Sequence, residues 1–499
     1  MSREVVGTFS VKSLGCKANW VDGQVIEAEL LARGWVRASH DQDPDLAIVN
    51  SCTVTDEADK QSKRTAKILS KKSPKAVVVY TGCGAEVNPD KVTHTGVQYV
   101  VGNQDKDKLV DLVLSNYSGK DLKNSEARIE KSEAPQILGK VQAYEELRSQ
   151  HPIDREWFVP SDRLDLAIEQ TRTRAFLKIQ DGCNSFCTYC IIPYGRGPAR
   201  SLSVQSVVEQ VKALVSKGIK EIVLTGTNLG DFGVDWAGRP VHDDLVEAIL
   251  NDTAIERLRV SSLDPTEITE KLFRLAESSS RFCPHFHVSL QATGSKILRL
   301  MKRKYKNEQV VECLGRIESI SKTTRPVFVG MDLITGFPGE TEADFNESVE
   351  ALSSLYWSRL HVFPYSEREG TPATRLTDQI VSKQERSRRA DVLRDLSLSR
   401  LESIYQKRLR AGDATLSKVL WENFTKGPDK LTHWVSGYSP EYFRVMARVS
   451  DSNTLRNTLS EVSLDSVMKD SQAGEMSFIV KPIGAVNFSA DVTSERGDL

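Results

Sequence analysis

No run of about 18 apolar residues, the length a helix needs to cross a bilayer, occurs anywhere in the 499-residue chain. The opening stretch "MSREVVGTFSVK" also lacks the apolar core of a signal peptide, so a cytoplasmic protein with no membrane attachment is expected. Cysteine is scarce, at 8 residues. In a reducing compartment disulfides are not expected, and clustered cysteines read as metal ligands or reactive thiols. Nor is there an excess of charge of either sign. The formal net charge of −1 argues against a general nucleic-acid coat while leaving room for local basic faces. Two stretches qualify, "KQSKRTAKILSKKSPK" at 60–75 and "RLMKRKYK" at 299–306, although a solvated helix face is the plainer reading of either run alone.

What is present is 39% hydrophobic residues, enough for several buried cores, and a β/α rhythm. From residue 8 to 115, apolar runs ("TFSVKSLGC", "DLAIVNSC", "AVVVYTGC", "VQYVVG") alternate with helical stretches, which predicts an open parallel-sheet α/β domain over 1–115. Residues 116–165 are polar without sustained periodicity and read as a linker or insertion. A second series follows over 166–405, through "AFLKIQDGC", "EIVLTGTN", "RLRVSSLDP", "HFHVSLQ", "VFVGMDLITGFPGE" and "RLHVFPYS". Its length and alternation predict a partial TIM-like (β/α) barrel. A charged helical run at 383–410 leads into short strands ("SKVLWENF", "HWVSGYSPEYFRVMARV", "EMSFIVKPIG"), a small β-barrel domain over 406–485, with a frayed tail at 486–499.

Cys183, Cys187 and Cys190 form CxxxCxxC directly after "AFLKI", on a loop at the carboxyl end of the first barrel strand, where barrel enzymes carry their chemistry. A structural zinc would ask for four ligands, often from paired CxxC units, and no second CxxC exists. Three thiolates on a four-iron cluster leave one iron open to a reacting molecule. Cys16, Cys52 and Cys83 are far apart in sequence, yet each closes an expected strand. One such cysteine reads as a buried small hydrophobe. Three at neighbouring strand ends converge on the crevice where open parallel sheets bind ligands, and can share a metal. Cys283 and Cys313 have no partner pattern and read as structural.

In order along the chain, "SLGCKANWVDGQ", "VNSCTVTDEADKQSKR", "TGCGAEVNPDK", "FLKIQDGCNSFCTYCIIPYGRGPARS", "LTGTNLGDFG", "LRVSSLDP", "LITGFPGETEADF" and "HVFPYSEREGTPA" resemble the radical S-adenosylmethionine (SAM) methylthiotransferases. The closing domain resembles the family's TRAM domain, a small RNA-binding β-barrel. "HVFPYSEREGTPA" and "GYSPEYFRV" are most similar to the branch acting on N6-threonylcarbamoyladenosine in tRNA. Sister branches act on isopentenyladenosine in tRNA or on a ribosomal-protein aspartate. One departure is local: Ala292, Thr293, Gly294 and Ser295 stand where the family usually has Ser-Gly-Ser-Asp.

The resemblance implies two 4Fe-4S clusters and SAM as cofactors, and a tRNA and a reducing electron donor as partners. Cys183, Cys187 and Cys190 would ligate the cluster that binds SAM and supplies a radical able to act on carbon 2 of the adenine ring. Cys16, Cys52 and Cys83 would hold a second cluster that delivers the sulfur-containing group. Gly226 and Asn228 would contact SAM, and Tyr189 would pack near its adenine or anchor the loop. His285 and His287 are expected on one strand face as packing residues. Thr341 and Asp344 read as a capping box, with Glu340 structural beside it. The two basic stretches would meet RNA phosphates, with Tyr438, Tyr442 and Phe443 as stacking surface beside Arg444, although each aromatic alone reads more simply as barrel core. A rival of another class is a non-catalytic, metal-containing RNA-binding protein.

Overall fold

The computed structural model describes residues 5–39, 41–116, 134–139, 173–411, 415–426, 433–449, 455–470 and 475–483. The expected tail, and the expected linker apart from residue 116 and 134–139, lie outside them.

The runs "LAIVNS" and "VVVYTG" are buried at every position, because they form central strands of a parallel sheet covered on both faces. That sheet holds β1 (Thr8–Ser13), β2 (Val36–Arg37), β3 (Leu46–Ser51), β4 (Val77–Gly82), β5 (Tyr99–Val101) and β6 (Gln136–Leu138), in the order β2-β1-β3-β4-β5-β6. One face packs Phe9, Ile48 and Val79 against Ile26 and Leu30 of the helix Lys17–Ala32. The other packs Val49, Val78 and Tyr80 against Ala66 of the helix Asp56–Lys72, whose cap is Thr55, accepting from the Ala58 amide at 3.1 Å. β6 comes from the stretch read as a linker and pairs in parallel with β5.

The second series forms β7 (Arg174–Lys178), a short antiparallel pair β8 (Gln180–Asp181) and β9 (Arg200–Ser201), then β10 (Glu221–Thr225), β11 (Arg257–Val260), β12 (Ser262–Leu263), β13 (His285–Gln291), β14 (Phe328–Thr335) and β15 (Arg359–Pro364). Two parallel sheets, β11-β10-β7 and β12-β13-β14-β15, meet through a bridge between Leu258 and Phe282. Among the described residues β7 and β15 do not pair. The helix Lys17–Ala32 packs on β7, with Trp20 edge-on to Phe176 at 5.5 Å.

The chain closes with a barrel of β16 (Thr415–Lys426), β17 (His433–Tyr438), β18 (Arg444–Val449), β19 (Leu459–Asp470) and β20 (Glu475–Pro482), in the order β16-β17-β18-β20-β19. The charged run at 383–410 is one 28-residue helix, Lys383–Arg410. It crosses from the central strands to this barrel, where Tyr405 stacks on Phe478 at 4.4 Å. No described helix is long and apolar enough to cross a membrane.

Candidate active site

The loop after β8 is held by backbone bonds from several directions. The Cys183 amide donates to Gly197 at 3.1 Å, Thr188 to Met301 at 3.0 Å, and Ala373 to Thr188 at 2.8 Å. Gly182 starts it at φ +76°, with the Pro198 carbonyl 2.0 Å from where a Cβ would lie, so no side chain fits. Cys187 is buried, while Cys183 and Cys190 are half-buried. Burial raises Cys183 to about 11 and Cys190 to about 12, and the neighbouring thiols add to both shifts. Arg303 donates from Nη1 to the Cys187 sulfur at 3.1 Å.

The second triad assembles from three strand ends. Cys16 caps the helix Lys17–Ala32, Cys52 follows β3, and Cys83 follows β4. Cys16 is exposed, and Cys52 and Cys83 are buried. Burial raises Cys52 to about 11, with Cys83 and Cys16 adding to it. Gly15, at φ +86°, lies so close that an added Cβ would sit 2.3 Å from the Cys52 sulfur. Among the described residues no three Cys, His, Asp or Glu side chains draw in to the spacing of a single-ion site. An iron–sulfur cluster takes its thiolates on different irons, so two all-thiol triads of neighbours fit it as a donor set.

A buried ionic network links the triads. Arg196, 1% exposed, donates to Asp22 at 3.0 Å and to Asp181 at 2.6 Å. Lys178 bridges the same two carboxylates, Lys106 reaches Asp22 at 3.0 Å, and Arg200 reaches Asp181 at 3.4 Å. Burial alone would raise both carboxyls, but the surrounding cations hold them well below the usual carboxylate range. Gly195, the residue before Arg196, approaches the Cβ of Cys83.

Inside the partial barrel lies a cavity of about 790 Å³. Cys16, Lys17, Arg196, Gly226 and Thr227 line it, as do His285, His287 and His361. Gly226 follows β10, pressed against Gln180, whose Oε1 accepts from the amides of Thr227 (3.0 Å) and Asn228 (2.8 Å). Asn228 donates from Nδ2 to Asp231 at 2.8 Å and to Ser185 of the cysteine loop at 3.4 Å. Tyr189 sits outside the cavity lining, edge-on to Phe337 at 6.4 Å, with its hydroxyl 3.4 Å from Arg303.

Residues 177–352 match the Radical SAM superfamily and residues 8–102 match the uncharacterized protein family UPF0004. The threonylcarbamoyladenosine tRNA methylthiotransferase MtaB of Aquifex aeolicus is 34% identical, over 83% of this chain and 94% of that protein. The chain belongs to the radical SAM methylthiotransferase family. MtaB of Bacillus subtilis is 32% identical over 88% of this chain and 90% of its own. A tRNA-2-methylthio-N(6)-dimethylallyladenosine synthase of Clostridium botulinum is 27% identical over 85% and 88%. Among solved structures, the radical SAM methyltransferase TsrM of Kitasatospora setae, with tryptophan and a SAM analogue bound, aligns with a TM-score of 0.50 at 16% identity, over 71% of this chain and 72% of that one, a likeness of fold.

In this radical SAM methylthiotransferase, several side chains that the sequence placed elsewhere turn to the site. Arg303, from the basic run expected to meet phosphates, is 7% exposed; besides Cys187 it bonds Asp264, the Ser289 carbonyl at 3.1 Å and Tyr305 at 3.1 Å. Lys302, Lys304 and Lys306 of that run are exposed. Tyr438 and Tyr442, expected as an RNA stacking surface, line the cavity instead, and Phe443 is buried against Tyr405 and Phe478. On the helix Asp56–Lys72, Arg64, Lys67, Lys71 and Lys72 are exposed as expected, while Lys60 and Lys63 pair with Asp56 and Asp59. In the departing loop, Ala292 and Thr293 are buried, and Thr293 Oγ1 has no partner. The capping box is present, with Thr341 and Asp344 bonding reciprocally, and Glu340 accepts from the Gly336 amide at 2.6 Å and from Arg389 at 2.8 Å.

Proposed function

We propose that the protein methylthiolates carbon 2 of N6-threonylcarbamoyladenosine beside the anticodon of tRNA, using SAM, two 4Fe-4S clusters and an external electron donor. The observation that carries this reading is the pairing of two three-thiol sets, one on the loop after β8 and one with Cys16 on the wall of the cavity that β10 and Gly226 also line. Three thiolates leave a cluster one open position, which a purely structural metal would not need. Bound there, the clusters and SAM supply the radical and the sulfur that no side chain can.

The chain's own residues do the rest. The loop bonds to Gly197, Met301 and Ala373 fix Cys183, Cys187 and Cys190, and Arg303 places a positive charge against the Cys187 sulfur. Gly226 and Asn228 border the space next to that loop and are assigned to SAM; Tyr189 anchors the loop through Phe337 and Arg303. An adenosine reaches such a lumen only when unstacked, which an anticodon loop permits at modest cost. Exposed Arg64, Lys67, Lys71 and Lys72 are assigned to its phosphates.

Anaerobic reconstitution with iron and sulfide, followed by iron counting and a SAM cleavage assay with tRNA, tests the proposal. Roughly eight irons per chain, deoxyadenosine, and a methylthio product on threonylcarbamoyladenosine are expected. Cys187→Ala abolishes SAM cleavage, whereas Cys52→Ala retains it and loses sulfur transfer. Full methylthiolation by Cys52→Ala would sink the two-cluster assignment, and product on isopentenyladenosine would reassign the substrate.

A further inference from the structure

The amino ends of several barrel strands carry arginines. Arg174 opens β7, Arg257 opens β11 and Arg359 opens β15, with Arg259 two residues into β11. Glu221, fully buried at the start of β10, ion-pairs with Arg174, Arg257 and Arg259, and Arg174 also pairs with Glu422. Two carboxylates thus face three arginines. Arg257 is consumed by the carbonyls of Lys418, Tyr438 and Ser439 at 2.8 to 3.0 Å, which fasten the C-terminal barrel beneath this end.

The other cations face the cavity. Arg259 is 2% exposed, donates to Glu221 and to the Pro440 carbonyl, and keeps Nη1 buried without a partner. Arg359 has no ion pair among the described residues, while Lys17, exposed at the rim, lies 5.9 Å from the Phe176 ring and is attracted by Asp332, a carboxylate that also lines the cavity. His285, 7% exposed, likewise has a buried Nδ1 without a partner. The floor is made of Tyr438 and Tyr442, stacked at 4.7 Å, with Arg259 4.8 Å above the Tyr442 ring. Burial would raise the Tyr442 hydroxyl, yet Arg174, Arg259 and Lys17 bring it below its ordinary value, and burial with Arg259 holds His285 neutral. An unpartnered guanidinium N–H and a net positive field facing this cavity favour an anionic group that would complete them.

We infer that this end of the lumen is a carboxylate subsite, with Arg259, Arg359 and Lys17 as donors, that holds an acidic substituent carried on the substrate base and selects it over an apolar one. The inference rests on the proposed function, because the threonyl group is the acid that such a base brings. An RNA backbone phosphate would require the strand itself to enter a pocket floored by the C-terminal barrel; a side group only has to reach in. The carboxylate of SAM shares the chemistry and is separated by the test.

Anticodon stem-loops carrying threonylcarbamoyladenosine as the free acid or as its methyl ester are titrated against the reconstituted wild-type protein at fixed salt. The acid is expected to bind about tenfold tighter or more, and Arg359→Gln to remove that preference without changing ester binding or SAM binding. Equal binding of acid and ester to the wild type overturns the subsite. So does an Arg359→Gln variant that loses SAM affinity while keeping the acid preference, since the cation would then serve the cofactor. Because the deciding comparison alters the RNA, it does not depend on a variant folding. Absence of methylthio product from any tRNA would instead count against the proposed function.

Discussion

A single guanidinium, that of Arg303, contacts the Cys187 sulfur, two tyrosines, a carboxylate and a main-chain carbonyl. Arginine's planar fork can serve several acceptors at fixed angles, which lysine cannot. Its carboxylate partner Asp264 is buried; burial raises that carboxyl and Arg303 opposes the rise. Arg303→Met is therefore expected to cost about 3–5 kcal/mol by leaving Asp264 unpaired, read as a lowered denaturant midpoint, and Arg303→Lys to recover only part of it. Nothing local in "RLMKRKYK" announces this role. Exposed lysines at 302, 304 and 306 alternate with inward Arg303 and Tyr305, and a basic run looks the same whichever way one member turns.

At the scale of elements, β3 and β4 were legible because a doubly covered parallel strand reads as a near-continuous apolar run. β6 and β19 were not. β6 is a three-residue strand with two exposed residues, and β19, "LSEVSLDSVMKD", buries only Val462 and Leu464 among its residues. Their identity comes from pairing with β5, β16 and β20. The first residue of β10 shows what pairing can do to a charge. Burial would raise Glu221, but Arg257, Arg259 and Arg174 outweigh it and bring the carboxyl down from 4.5 to about 2. Because the folded value lies below the unfolded one, the stability it contributes, about 3 kcal/mol, is present above pH 4.5 and lost as the pH falls toward 2. Unfolding titrations between those limits should show a steeper loss for wild type than for Glu221→Gln, which should already be destabilised at neutral pH.

For the molecule as a whole, the decisive joint is the buried network of Asp22, Lys106, Lys178, Asp181 and Arg196 between the first sheet and the partial barrel. Asp22 sits one helical stretch beyond Cys16, and Arg196 lies six residues beyond Cys190, so the network ties the two triads to one another. Arg196→Gln removes a fully buried charge from between two carboxylates and is expected to cost about 3–5 kcal/mol. Since Gly195 packs on Cys83, it should also lower the iron bound after reconstitution. A variant that kept both wild-type stability and wild-type iron would show that the docking does not depend on this pair.

Cysteine spacing, strand runs and the Thr341–Asp344 cap were readable along the chain because each depends on residues a few positions apart, and local geometry carries a periodic or positional signature. What only folding decided was which distant groups meet: Cys16 on a lumen built mostly after residue 173, Arg303 on a cysteine 116 residues earlier, and Tyr442 as cavity floor rather than outer surface. Such encounters follow from how sheets and barrel pack. Because a buried long-range contact repeats with no period, the sequence supplies its members without saying which of them face each other.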